Sequence, residues 1–147
     1  MNDRPPRLDT IMGVAELFAR RSTCDRLHVG AVFSIEGRIL ATGFNGAPAG
    51  IRHCPSGPHD GPCKTAVHAE QNAVAFAAAR GISLAGSTLV ITHMPCLNCS
   101  LMLVNTGILG VVYERPFRDT SGIELLDQVG IKCDPYKFAR LNRAYLS

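Results

Sequence analysis

The chain has 147 residues, with 15 Lys and Arg against 12 Asp and Glu, a net charge of +3, and a 46% hydrophobic composition. That length suits one compact domain, the apolar content excludes a disordered chain, and the apolar residues are too dispersed to span a membrane. The basic residues are scattered, with Arg20-Arg21 the only adjacent pair, so the charge excludes a nucleic-acid surface of the usual concentrated kind. The first dozen residues lack the apolar stretch of a secretory signal, so a cytoplasmic location is expected. There, six cysteines read as thiols or metal ligands rather than as a disulfide framework.

In chain order, Leu8, Ile11, Met12, Ala15, Leu17, Phe18 and Ala19 recur at helical spacing and predict a helix over 8–21 with Asp9 as its cap. Residues 29–35 and 38–44 read as two strands of a hairpin turning at Glu36-Gly37. Residues 45–62 are rich in glycine and proline, and so long a loop in a small domain is functional or pinned, for example by a metal. Residues 67–80 predict an alanine-rich helix stopped by Gly81, 87–93 a buried strand, 97–105 a helix and 108–114 a further strand. An amphipathic helix over 120–129 ends at Gly130, followed by a short strand at 131–133 and a terminal helix over 135–146. The order α-β-β-α-β-α-β-α-β-α predicts an α/β fold in a single domain over 1–147, with one mixed five-stranded sheet covered by helices on both faces.

Two short motifs carry the chemistry. His68-Ala69-Glu70 opens the alanine-rich helix, and Pro95-Cys96-Leu97-Asn98-Cys99 opens the next one after an intervening strand. A CxxC by itself is a redox pair or half of a structural zinc site, and an HxE by itself arises by chance. Together they are far more specific. Two cysteines three apart at a helix start can face one ion, the helix N-terminus favours their thiolates, and His68 supplies a third ligand. Three protein ligands leave the fourth tetrahedral position open, as a catalytic zinc requires, with Glu70 beside it to exchange protons.

His-x-Glu followed by Pro-Cys-x-x-Cys resembles the signature of the zinc-dependent cytidine/deoxycytidylate deaminase superfamily, a combination the zinc deaminases use generally. Segments 21–31, 42–50, 68–73, 92–99 and 106–113 make the chain similar to the deoxycytidylate (dCMP) deaminase branch, over about residues 20–133. The resemblance implies a three-layer α/β/α cytidine-deaminase-like fold and hydrolysis of dCMP to dUMP and ammonia for thymidylate synthesis. It implies a catalytic zinc on His68, Cys96 and Cys99, with Glu70 carrying protons between water, the pyrimidine N3 and the departing ammonia. It also implies a homo-oligomer, with a hexamer favoured, and dCTP and dTTP as candidate effectors.

For the substrate, the resemblance points to Asn45 near the deoxyribose and base, and to Arg118 or Arg26 for the phosphate. The Ala69 backbone N–H is a candidate donor to the base carbonyl. Phe117, or apolar residues beside Ile35, are candidates to wall the pocket. Among relatives a second, structural zinc staples the long loop. Cys24, Cys54 and Cys63 match its ligand positions, with His59 or His53 as the fourth, so that loop 45–63 is expected to be pinned by metal. Cys133 is left as a core thiol.

Two departures stand out: Phe44 replaces a tyrosine linked to regulation in many relatives, and Thr65 stands where an arginine is common. Rival readings keep the chemistry but change the substrate, to a 5-substituted dCMP, CMP, a free nucleoside or a tRNA adenosine. A different class would be a non-catalytic zinc protein that senses dCTP or dTTP, against which the intact Glu70 argues.

Overall fold

The computed structural model describes residues 3–53 and 63–142. Among them the elements run α1 (Arg7–Ala19), β1 (Gly30–Ile35), β2 (Arg38–Phe44), α2 (Ala69–Arg80), β3 (Thr88–His93), α3 (Leu97–Val104), β4 (Gly110–Arg115), α4 (Ser121–Gln128), β5 (Lys132–Pro135) and α5 (Tyr136–Ala139). The strands form one sheet in the order β2-β1-β3-β4-β5. β1 is antiparallel to both β2 and β3, while β3, β4 and β5 run parallel. This is the mixed five-stranded sheet that the element order predicts.

Side chains alternate across a strand with a period of two, and here both faces are covered. Phe33, Leu89, Ile91 and Val111 pack with Ala73 and Ala77 of α2, Leu103 of α3 and Leu126 of α4. Their neighbours Val32, Val90 and Val112 pack on the opposite face with Leu8, Ile11, Met12 and Ala15 of α1 and with Ala139 of α5. Burial on both faces explains why β3 and β4 read as nearly continuous apolar runs. The three layers are therefore α2–α3–α4, the sheet, and α1–α5.

Two glycines set how closely helices approach the sheet. A Cβ at Gly43 would lie 2.2 Å from the Ala69 carbonyl oxygen and 2.7 Å from the Ala73 nitrogen, and one at Gly30 would lie 1.8 Å from the Ala15 carbonyl oxygen. The first contact holds the opening turn of α2 directly on β2. The hairpin turns at Glu36 (φ 50°) and Gly37 (φ 76°), both left-handed as a two-residue turn of this hand requires. Gly81 (φ 63°) ends α2 in a left-handed cap.

Three boundaries differ from the sequence reading. The cap of α1 is Pro6, not Asp9; Asp9 instead accepts hydrogen bonds from Tyr136 Oη at 2.6 Å and Arg140 Nη2 at 3.3 Å, tying α1 to α5. The terminal helix is a single turn, because the chain tightens after Ala139 into i→i+3 bonds from Leu141 and Asn142. The rest of that predicted helix, 143–147, lies outside the described residues. The last strand begins at Lys132 rather than Ile131, whose side chain is buried in the core just before it. No helix among the described residues is long and apolar enough to cross a membrane.

Candidate active site

Both motifs lie at the start of a helix, and each begins with an N-cap residue in extended conformation. His68 (φ −72°, ψ 156°) caps α2, and its backbone N–H donates to Gln71 Oε1 at 2.9 Å. Cys96 (φ −74°, ψ 169°) caps α3, and its Sγ accepts the Cys99 N–H at 3.5 Å. Extended backbone at the cap turns the first side chain back over the helix mouth, and Cys99 stands one turn on. His68 Nδ1 consequently lies 3.6 Å from Cys96 Sγ and 3.4 Å from Cys99 Sγ.

These distances test whether the residues fit a metal. A tetrahedral zinc with Zn–S of ~2.3 Å and Zn–N of ~2.0–2.1 Å separates its nitrogen and sulfur ligands by about 3.6 Å. The triad therefore fits zinc, and it is the one such group of three among the described residues. Hydrogen bonds from the Cys99 thiol and then His68 draw the Cys96 thiol down to about 4. Cys99 is pushed up, first because it holds the proton shared with Cys96 and then by burial. His68 is raised by its hydrogen bond to Cys96 against the opposing effect of burial. Glu70, on the first turn of α2 and only 4% exposed, is pushed up to about 7 chiefly by that burial.

A cavity of about 180 Å³ opens over the triad, lined by Leu27, Val29, Asn45, His68, Ala69, Glu70, His93, Met94, Cys96 and Phe117. It gathers six of the sequence candidates: His68, Ala69, Glu70, Cys96, Asn45 and Phe117. Cys99 lies fully buried beneath them. The Asn45 amide is held at both ends, with Oδ1 accepting the Val29 N–H at 2.8 Å and Nδ2 donating to the Leu27 carbonyl at 2.7 Å. Asn45 thus pins the segment that forms one wall.

Neither arginine candidate reaches this lining. Arg26 and Arg118 are both exposed, while their neighbours Leu27, half-buried, and Phe117, 41% exposed, line the cavity. Ile35 is not in the lining either: it ends β1, at the opposite end of the strand from Val29, and is 37% exposed.

The cavity also contains side chains the motifs do not announce. His93, 8% exposed, bonds through Nδ1 to Thr92 Oγ1 at 2.8 Å, and Thr92 Oγ1 accepts the Gly30 N–H at 3.1 Å. Its ring stacks on Phe117, with centroids 6.0 Å apart and planes 28° from parallel. Burial, then the Arg115 charge, lowers its affinity for a second proton. One signal was available in the sequence: His93 ends an apolar strand, and strand ends in open α/β sheets face the ligand crevice.

Of the second-zinc candidates, Cys24 and Cys63 are half-buried, while Cys54 and His59 lie outside the described residues. Cys133 is half-buried against the core and pushed up to about 12 by burial, as suits a packing thiol.

With this geometry in place, comparison with known proteins locates the chain. Residues 6–115 match the family model for the cytidine and deoxycytidylate deaminase zinc-binding region. The chain belongs to this deaminase family. It is 35% identical to ComE operon protein 2 of Bacillus subtilis over 82% of this chain and 66% of that protein. It is 35% identical to deoxycytidylate deaminase of Saccharomyces cerevisiae over 92% of this chain and 46% of that enzyme. The chain thus spans less than two thirds of the length of these two relatives. The dCMP deaminase of cyanophage S-TIM5, solved in complex with dCMP and dUMP, superposes with a TM-score of 0.83 at 37% identity, over 91% of this chain and 99% of that one. The deaminase fold is therefore shared almost end to end with that protein, and the His/Cys/Cys group sits in a zinc-binding domain.

Proposed function

We propose that this member of the deaminase family hydrolyses dCMP to dUMP and ammonia, supplying dUMP for thymidylate synthesis in the cytoplasm. The observation that carries the reading is the joining of His68, Cys96 and Glu70 with Asn45, Ala69 and Phe117 in one small cavity. About 180 Å³ is below the ~300–1,000 Å³ of pockets for larger ligands, and it suits a single pyrimidine with sugar and phosphate toward the mouth.

His68, Cys96 and Cys99 would hold zinc, which when bound supplies Lewis-acid activation of water near neutral pH. Glu70 then does the proton work: its carboxylate takes a proton from the attacking water and delivers it to the pyrimidine N3, then takes the second proton from the new C4 hydroxyl and delivers it to the leaving amine. The C4–N4 bond breaks as the C4–O bond is completed, so dCMP and water balance to dUMP and ammonia. Burial tunes Glu70 for both directions, since a carboxyl group near neutrality accepts and donates with little bias. The Ala69 N–H, at the first helical position, would donate to the base carbonyl. His93 and Phe117, stacked at the wall, exclude water and orient the ring.

The family resemblance extends the proposal to a homo-oligomer, with the hexamer favoured. A second zinc on Cys24, Cys54, Cys63 and His59 (or His53) is proposed for the long loop. Thr23 lies against Gly46, and Gly46 bridges to Val67, so the Cys24 segment packs where the two ends of that loop meet. Metal analysis separates the cases: about two zinc ions per chain support the loop site, and about one overturns it.

The activity is tested by following ammonia release from dCMP, CMP, deoxycytidine and 5-methyl-dCMP, with Glu70→Gln as control. Turnover of dCMP well above deoxycytidine is the expected result. Preference for deoxycytidine would overturn phosphate recognition, and zinc-loaded protein inert on every substrate would favour a sensor. Addition of dCTP or dTTP to the same assay tests regulation, which Phe44, lying under the Arg21 guanidinium at 5.8 Å, would have to support without a tyrosine hydroxyl.

A further inference from the structure

Most polar side chains that line the catalytic cavity are committed. His68 and Cys96 belong to the metal triad, Glu70 to proton transfer, and Asn45 to Leu27 and Val29. His93 is different, because its two ring nitrogens have unlike surroundings. Nδ1 lies 2.8 Å from Thr92 Oγ1. Nε2 makes no hydrogen bond among the described residues, yet it is not sealed: the buried side-chain oxygens and nitrogens without a partner belong to Glu16, Ser100 and Glu114. An unsealed atom on a buried ring that lines the cavity faces that cavity.

Thr92 decides which nitrogen carries the proton. Its hydroxyl is fully buried, and its oxygen already accepts the Gly30 N–H at 3.1 Å. A buried hydroxyl proton left without an acceptor is costly, and among the described residues it finds one in His93 Nδ1. Nδ1 is therefore bare, and the single proton of the neutral ring sits on Nε2. Burial and then the Arg115 charge keep the ring neutral, against a smaller opposing pull from Glu16. Gly30 N–H, the Thr92 hydroxyl and the imidazole thus form a one-way chain of donors whose last N–H opens on the cavity.

The surroundings say what that N–H meets. Phe117, stacked on the His93 ring, is 41% exposed, which sets the pair at the cavity mouth; in the deaminase reading, sugar and phosphate lie there. No Lys or Arg side chain among the described residues joins the lining, so a phosphate must be met by other donors. Arg115 holds the register position beside His93 on the neighbouring strand β4, and at His93 its charge outweighs that of Glu16, a field that favours an anion. An N–H donating to an ionised oxygen is also roughly twice as strong as one donating to a neutral carbonyl.

Resting on the deaminase reading, we propose that His93 recognises the 5′-phosphate of the nucleotide, donating from Nε2–H to a phosphate oxygen, with Thr92 as the positioning residue that fixes this tautomer.

Two measurements on the zinc-loaded protein test this. Proton–nitrogen correlation spectra of isotope-labelled histidine should show His93 as the Nε2–H tautomer, and the Nδ1–H tautomer would overturn the proposal. In Thr92→Val the Nδ1–H form should appear, and an unchanged tautomer would overturn the role given to Thr92. Calorimetry then compares dUMP with deoxyuridine, which differ only in the phosphate. His93→Phe keeps a stacking ring without the donor; it should weaken dUMP binding by about tenfold or more, as for one charge-assisted hydrogen bond, and leave deoxyuridine within about twofold. His93→Gln restores an N–H and should recover most of the dUMP affinity. Equal weakening of both ligands in His93→Phe would assign His93 to the base or sugar and overturn the proposal, as would a His93→Gln no better than His93→Phe. Thermal unfolding and zinc content check that each variant is folded and loaded. Parent protein that binds neither ligand would overturn the deaminase reading together with this one, whereas parent and His93→Phe binding both ligands alike would overturn this one alone.

Discussion

The catalytic cavity and an arginine-lined hollow, between the lead into α1 and the β1–β2 turn, lie toward opposite ends of β1, and they hold their polar groups by opposite means. In the cavity nearly every polar group has a partner within the protein: Asn45 bridges Leu27 and Val29, Thr92 holds His93, and Cys96 accepts from Cys99. Glu70 is sealed to 4% exposure. In the hollow, Arg4, Arg7 and Arg38 are all exposed to water. Moving protons at a chosen atom requires groups that are desolvated and fixed within fractions of an ångström. Long side chains that keep their charge in water are held to no such geometry. Substitutions in the first region should therefore cost orders of magnitude, and those in the second should leave chemistry untouched.

The largest effect should come from the metal triad. Cys99→Ala should remove the catalytic zinc, lowering zinc content by about one ion per chain, and abolish measurable dCMP turnover, read by metal analysis and ammonia release; full zinc content in that variant would break the assignment of Cys99. Glu70→Gln should next lower kcat by about 10²–10⁴-fold, the usual contribution of a general acid–base, while zinc content stays at the parental level. Loss of zinc in this variant would reassign Glu70 from proton carrier to ligand.

Gly43→Ala probes the scaffold rather than the chemistry. Its Cβ would meet the Ala69 carbonyl at 2.2 Å, and a backbone cannot yield as a flexible side chain does. Stability should fall by about 1–3 kcal/mol, seen in denaturant unfolding, together with weaker zinc retention because α2 carries His68. A smaller effect is expected for His93→Ala, which breaks the Thr92 bond and the Phe117 stack. KM for dCMP should rise by about tenfold, the equivalent of one lost hydrogen bond, with a lesser change in kcat. The smallest is expected at the other end of β1, where Arg7→Gln/Arg38→Gln should leave kcat and KM for dCMP within about twofold. A tenfold loss there would show that the two ends communicate and would end the contrast drawn between them.

Much of this was legible in one dimension. The hairpin at Glu36-Gly37, the stop at Gly81 and the order of ten elements follow from turn chemistry and apolar periodicity, which act over a few residues. The triad was legible because zinc chemistry demands particular side chains at short spacings, at helix starts that the same patterns reveal. Asp9 shows where such reasoning stops: it has the composition of a cap, but Tyr136 and Arg140, more than 120 residues away, provide the partners it actually takes. Arg118 and Phe117 show it again, since no local rule says which of two neighbours in an irregular segment faces a cavity.

The sequence by itself determined the elements, their order and the residues able to hold a metal and carry a proton, because local propensity and ligand chemistry are written in adjacent positions. Tertiary structure alone decided that Met94 joins the cavity wall, that Arg26 and Arg118 are absent from its lining, and that three arginines share a hollow with a turn. Those outcomes depend on which surfaces are withdrawn from water when β1, β3 and the helices pack together, and burial is a property of the whole fold rather than of any segment.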